Sequence, residues 1–177
     1  MAWGVPLATF TVVHVVLSLV GIGSGLVVMS TLLRAREHHG WTALFLVTTT
    51  ATSITGFGFP VDHLLPSHVV GLVSLAVLAV AVLARYGLRL RGAWRWVYVV
   101  STGVALYLNV FVGVVQAFLK VPGLHALAPQ QTEPPFLIAQ VVVLALFVVL
   151  TGVAAKRFRG ASPPGLITPH ARGARLP

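Results

Sequence analysis

Apolar residues in this chain come in long runs, at about 7–33, 42–59, 67–84, 97–118 and 135–155, and the short stretches between them hold most of the charge. Each run approaches or exceeds the roughly 20 residues that an α-helix needs to cross the hydrocarbon core of a bilayer. Strands of a membrane barrel would alternate apolar and polar residues, and these runs do not. The pattern predicts an all-α integral membrane bundle of five transmembrane helices within residues 1–159. It predicts a disordered basic tail over 160–177, where Pro, Gly and Arg dominate and no apolar period survives.

Composition agrees with a bilayer protein. The 177 residues are 57% hydrophobic and 8% charged, where a soluble domain carries about a quarter charged residues, and mean hydropathy is +0.94. The formal charge of +9 would suggest a nucleic-acid partner in a soluble protein, but here its placement argues for the lipid bilayer instead. Arg34 and Arg36 follow the first run, Arg85, Arg89, Arg91 and Arg95 separate the third and fourth, and Lys156, Arg157, Arg159, Arg172 and Arg175 follow the fifth. Only Lys120 falls on the other side. By the positive-inside rule the N-terminus lies outside and the C-terminus in the cytoplasm. Trp3 then falls at the outer interface and Trp41, Trp94 and Trp96 at the inner one, where indoles prefer to lie. The N-terminus has no basic n-region, and its apolar run is too long for a signal h-region, so the first run is expected to be retained as a span.

Polar residues inside the spans are few and ordered. His14, Ser18, Gly21 and Gly25 recur at i, i+4, i+7 and i+11, which places them on one helical face. Gly21 and Gly25 form a small-xxx-small pair that permits close helix approach in lipid. The run Gly21-Ile22-Gly23-Ser24-Gly25 has no strand before it and lies at membrane depth, so it is not a nucleotide loop. Thr48, Thr49, Thr50, Thr52, Ser53 and Thr55 crowd the second run. Such hydroxyls either bond back to their own helix or line a wet cavity. Pro60 ends that helix, and Ser67 and His68 after Pro66 resemble the opening of the next. Asn109, Gly113 and Gln116 form a polar face on the fourth run that should look inward. Gln140 enters the fifth run below a proline-rich loop, Lys120 to Pro135, that carries His125 and Glu133.

Under this topology the polar residues collect in the outer half and the outer loops, around the segment from Phe57 to His68 with Asp62 and His63, while the inner half reads as nearly pure Val, Leu and Ala. His38, His39 and His170 sit among arginines and are expected to face water or headgroups. Polar groups in hydrocarbon tend to mark pathways or cofactor sites. Three uses fit an outer pocket of His14, His68, Asn109, Gln116, His125 and Gln140: axial histidines for a b-type haem, a copper or zinc site built from His63, His68 and His125, or hydrogen bonds to a quinone. Against these stands a plain structural role, since membrane histidines also bond neighbouring helices. Absence of cysteine excludes disulfides, thiolate metal sites and thiol catalysis. No paired carboxylate, hydrolase triad or metalloprotease motif occurs, so the sequence points to binding more than to catalysis. The alternative is an accessory or assembly subunit whose polar outer half contacts other membrane-complex subunits. No internal repeat supports a transporter.

The segments Phe59 to His68, Trp94 to Ser101, Leu106 to Lys120 and Ala128 to Phe136 resemble a group of small, uncharacterised bacterial multi-spanning membrane proteins. The resemblance implies a bacterial inner-membrane location and carries no established activity, so it assigns no site residue.

Overall fold

The computed structural model describes residues 2–59 and 66–160. Asp62, His63, His170 and the tail expected to be disordered fall outside them, apart from its first residue, Gly160. Within the described residues the secondary structure is helical, with one isolated bridge pairing Ala2 and Val5. Helix α1 spans Leu7–Leu33, α2 His39–Gly56, α3 Pro66–Val82, α4 Trp94–Lys120, α5 Pro122–Leu127 and α6 Pro134–Gly160. A π-helical turn, Leu83–Gly87, extends α3.

Four helical segments are long and apolar enough to cross a membrane: Leu7–Leu33, Ser67–Gly87, Trp94–Lys120 and Pro134–Phe158. They expose the side chains that water would punish. Val12, Val16 and Leu19 on α1, and Val141, Val142, Val148 and Val149 on α6, are open to the surroundings, as lipid-facing residues are. The protein is therefore a multi-pass membrane protein in its helical design. Helix α2 is not among those four, because its threonines lower its hydropathy.

The short α5 begins on Pro122, and α6 opens on Pro134 and Pro135, positions where a missing N–H costs nothing because the first turn lacks acceptors. Glu133 immediately precedes α6, and its carboxylate accepts the backbone N–H groups of Gln130 at 3.1 Å and Thr132 at 3.0 Å. Desolvation, the largest single influence, pushes this carboxyl up, but the surrounding loop N–H donors together outweigh it and hold Glu133 below the ordinary carboxylate value. The loop bonds therefore hold at neutral pH and are lost only as pH falls through that lowered pKa.

The ends of the helices meet in two groups. At the basic end, Arg157 of α6 donates to the Leu33 carbonyl of α1 at 3.0 Å, and the Arg95 guanidinium of α4 lies 5.1 Å over the Phe158 ring of α6. The main core sits towards this end, with Val28, Phe45, Leu78, Val99, Leu106 and Phe158 buried together. A smaller cluster at the opposite end joins Phe118, Ala128 and Phe136.

Glycines set the helix spacing. A Cβ on Gly25 of α1 would lie 2.5 Å from Leu106 Cδ1 of α4 and 2.8 Å from the Phe45 ring of α2, and one on Gly103 of α4 would overlap Thr151 of α6. Gly23, two residues before Gly25, has open space around it. Gly25→Ala is expected to cost about 1–3 kcal/mol through overpacking. Gly23→Ala should leave stability unchanged or raise it by up to about 1 kcal/mol, the helix-propensity gain. Unfolding in mild detergent, followed by tryptophan fluorescence, checks the contrast; equal effects at the two positions would refute the close-approach account.

Candidate functional site

The polar face of α1 opens onto α2 and α4. His14 Nδ1 lies 2.8 Å from the Thr55 hydroxyl oxygen of α2. That hydroxyl already donates its single proton to backbone carbonyls, Ala51 at 2.8 Å and Thr52 at 3.1 Å. The imidazole must therefore be the donor, with the proton on Nδ1 and the Nε2 lone pair left over. Aromatic rings surround this histidine. Phe59 packs edge-on against it at 5.2 Å, Phe10 packs on Phe59 at 5.1 Å, and Trp3 packs on Phe10 at 5.6 Å.

One turn further along α1, Ser18 donates to Asn109 Oδ1 of α4 at 3.0 Å. This bond fixes the amide so that Nδ2 points to Gly21. A Cβ on Gly21 would lie 2.9 Å from Asn109 Nδ2 and 3.0 Å from Thr49 Oγ1. Both of those atoms are buried and have no hydrogen-bond partner. Four other hydroxyls of α2 behave differently: Thr48, Thr52 and Ser53, like Thr55, bond back to carbonyls one turn earlier. Self-satisfied hydroxyls explain most of the threonine cluster, whereas Thr49 is buried with its hydroxyl unpartnered. A buried polar group without a partner costs roughly 1–3 kcal/mol. Two such donors beside one glycine notch form a place that an acceptor oxygen would satisfy.

The remaining candidate residues are more scattered. His68 is buried in the first turns of α3 and stacks on Phe57, with ring centroids 5.4 Å apart and planes at 20°. Gln140 is buried on α6, where Nε2 donates to the Phe111 carbonyl at 3.3 Å and Oε1 has no partner. Gln116 on α4 and His125 on α5 are exposed and join neither group, although an inward face was expected for Gln116. Position 116 lies close to the helix end, where the bundle no longer encloses every face of α4. His63 lies outside the described residues. Among the described residues no group of three or more metal-ligating side chains assembles.

A second polar cluster lies at the basic end, where the sequence reads as nearly pure Val, Leu and Ala. Arg85 was expected in the loop after the third span, but the π-helical turn carries the helix to Gly87 and turns Arg85 inward. Its side chain is 3% exposed, ion-paired through Nη1 to Glu37, which is 25% exposed. Nη2 donates to His39 Nδ1 at 2.9 Å. The guanidinium also lies 5.4 Å over the ring of Tyr98, a fully buried residue whose hydroxyl donates to Thr42 Oγ1 at 3.4 Å. His39 is therefore engaged with Arg85 and not merely solvated. A sequence signal existed: Ser74, Leu78, Ala81 and Arg85 fall at i, i+4, i+7 and i+11, so the buried stripe of α3 runs straight into Arg85. π-turns of this kind are frequent at functional sites.

No family model, no curated protein and no solved structure matches the chain.

The ion pair is asymmetric, and so are the expected consequences of breaking it. Glu37→Ala strands a guanidinium that cannot reach water and should destabilise the bundle by about 3–5 kcal/mol. Arg85→Met leaves Glu37 with partial access to water and an apolar side chain in an apolar site, so the loss should be smaller. Stability of both variants, measured by denaturing-detergent titration, tests the order; a larger loss in Arg85→Met would refute it.

Proposed function

We propose that the protein is a non-enzymatic, five-span module of the bacterial inner membrane, N-terminus outside, whose polar outer-side seam binds a quinone through its carbonyl oxygen. The fifth span is α2. Its 18 residues extend roughly 27 Å at the helical rise, it packs between α1 and α3, and most of its hydroxyls are internally satisfied. The orientation follows from the basic residues: among those described, only Lys120 stands at the opposite end.

The observation that carries the quinone reading is the pair of unpartnered buried donors, Asn109 Nδ2 and Thr49 Oγ1, beside Gly21. A lipid-soluble carbonyl compound reaches membrane depth unaided and supplies the acceptor that both lack. A b-type haem is the second reading, favoured by the tautomer of His14. Metal-bound histidines typically donate their other N–H to a fixed acceptor, and Thr55 holds Nδ1–H while Nε2 keeps its lone pair. The resemblance to small bacterial membrane proteins supports the location alone. With neither ligand, the reading becomes an accessory subunit of a larger complex.

Quinone binding is measured by tryptophan quenching with a short-tailed quinone in nanodiscs. Thr49→Val removes one donor at nearly constant volume and should weaken binding about tenfold, the worth of one hydrogen bond, while leaving the ligand-free protein as stable or slightly more so. Unchanged affinity in Thr49→Val and Asn109→Leu would overturn the quinone reading. Oxidised and reduced absorption spectra of the same preparation decide the second: a Soret band that disappears in His14→Ala assigns haem. A featureless spectrum removes it.

A further inference from the structure

A cleft of about 530 Å³ lies between α4 and α6, within the 300–1,000 Å³ typical of small-molecule sites. Val100, Val104 and Tyr107 line it from α4, and Leu144, Val148 and Gly152 from α6. Trp96 and Lys156 line it where both helices reach the basic end. Both helices are membrane spans by length and composition, so the open side of the cleft faces acyl chains.

Dimensions and charge together select the occupant. The α6 wall repeats every four residues from Leu144 through Val148 and Gly152 to Lys156, a length of roughly 18 Å at the helical rise. One leaflet of hydrocarbon is about 15 Å deep. Spread over that length, the volume leaves a cross-section of roughly 30 Å². That matches the girth of one extended hydrocarbon chain lying along the cleft. Gly152 borders open space, since a Cβ there would meet nothing within 4 Å.

Three cations at this end are already engaged. Arg85 is paired with Glu37, Arg157 donates to the Leu33 carbonyl, and Arg95 lies over Phe158. Lys156 is exposed, with no ion-pair partner among the described residues, and it stands beside Trp96, whose indole suits the headgroup level. A basic residue at the membrane end of an interhelical apolar slot is a headgroup site.

We propose that the α4–α6 cleft binds one acyl chain of an anionic phospholipid, with the phosphate held by the Lys156 ammonium. The site is independent of the polar seam near Gly21 and stands whether or not that seam binds a quinone. Native mass spectrometry of the protein released from nanodiscs of mixed phosphatidylglycerol and phosphatidylcholine tests it. The wild-type protein should retain phosphatidylglycerol preferentially. Lys156→Gln should lower that preference about fivefold, the factor that one lysine contributes near an anionic surface, while still retaining lipid. Gly152→Leu, whose Cβ has open space around it, should lose bound lipid of both kinds, with circular dichroism and gel filtration unchanged. Millimolar inorganic phosphate should displace none of it. An unaltered lipid ratio in Lys156→Gln overturns the proposal, as does full retention in a folded Gly152→Leu; displacement by phosphate would reassign the site to the free anion.

Discussion

Close helix contact at Gly21, Gly25 and Gly103 is the constraint on which the rest of this bundle depends. In lipid no hydrophobic force draws helices together, because the acyl chains are as apolar as the side chains they would replace. Cohesion comes from dispersion at short range and from polar contacts that short range allows. Gly25 brings α1 against Leu106 and Phe45 at once, so three helices share one packing point. That distance also carries Ser18 to Asn109 and His14 to Thr55. A wider spacing would leave those groups in hydrocarbon without partners, and the polar face of α1 would become a liability.

The two ends handle polarity differently. At the basic end a charge is buried, and a buried charge needs a counter-ion and filled donor positions. Arg85 has Glu37, His39 and the Tyr98 ring, drawn from the α1–α2 connection, α2 and α4, and only its Nε stays without a partner. One guanidinium thus ties three parts of the chain to the end of α3. At the opposite end the groups are neutral, so an unmet hydrogen bond costs far less than an unmet charge. Asn109, Thr49 and Gln140 keep unpartnered atoms there. Such atoms are tolerable in a stable bundle and useful to a ligand.

Much of this was legible in the sequence, for reasons that mark where legibility stops. Long apolar runs announce membrane helices because the bilayer imposes length and composition directly. The spacing of His14, Ser18, Gly21 and Gly25 announces a shared face because helical period is local. The role of Arg85 was hidden because an arginine beside an apolar run normally marks the membrane boundary, and only the π-turn, a tertiary accommodation, carries it inside. Thr49 could not be told from Thr48 by type or neighbourhood. Both hydroxyls lie beside Gly21, but Thr48 donates to the Leu44 carbonyl at 2.7 Å, whereas Thr49 Oγ1 has no partner. Gln116 shows the converse error, since a periodic polar face was read as inward where the bundle no longer encloses it.

The hydroxyls of α2 show how a helix below the hydropathy of its neighbours can still pack against them. Hydropathy scales charge each threonine for a polar group, yet Thr48, Thr52, Ser53 and Thr55 spend that group on carbonyls of their own helix. What they present outward is largely a methyl or methylene surface. The polar cost that α2 still carries is then set by the few groups that remain, chiefly Thr49 on the buried side. With four of its hydroxyls closed internally, this 18-residue helix packs against two helices long and apolar enough to cross a membrane. The same economy leaves Thr49 as the one α2 hydroxyl facing Gly21 that has no partner of its own, which is why the chemistry of the seam converges there.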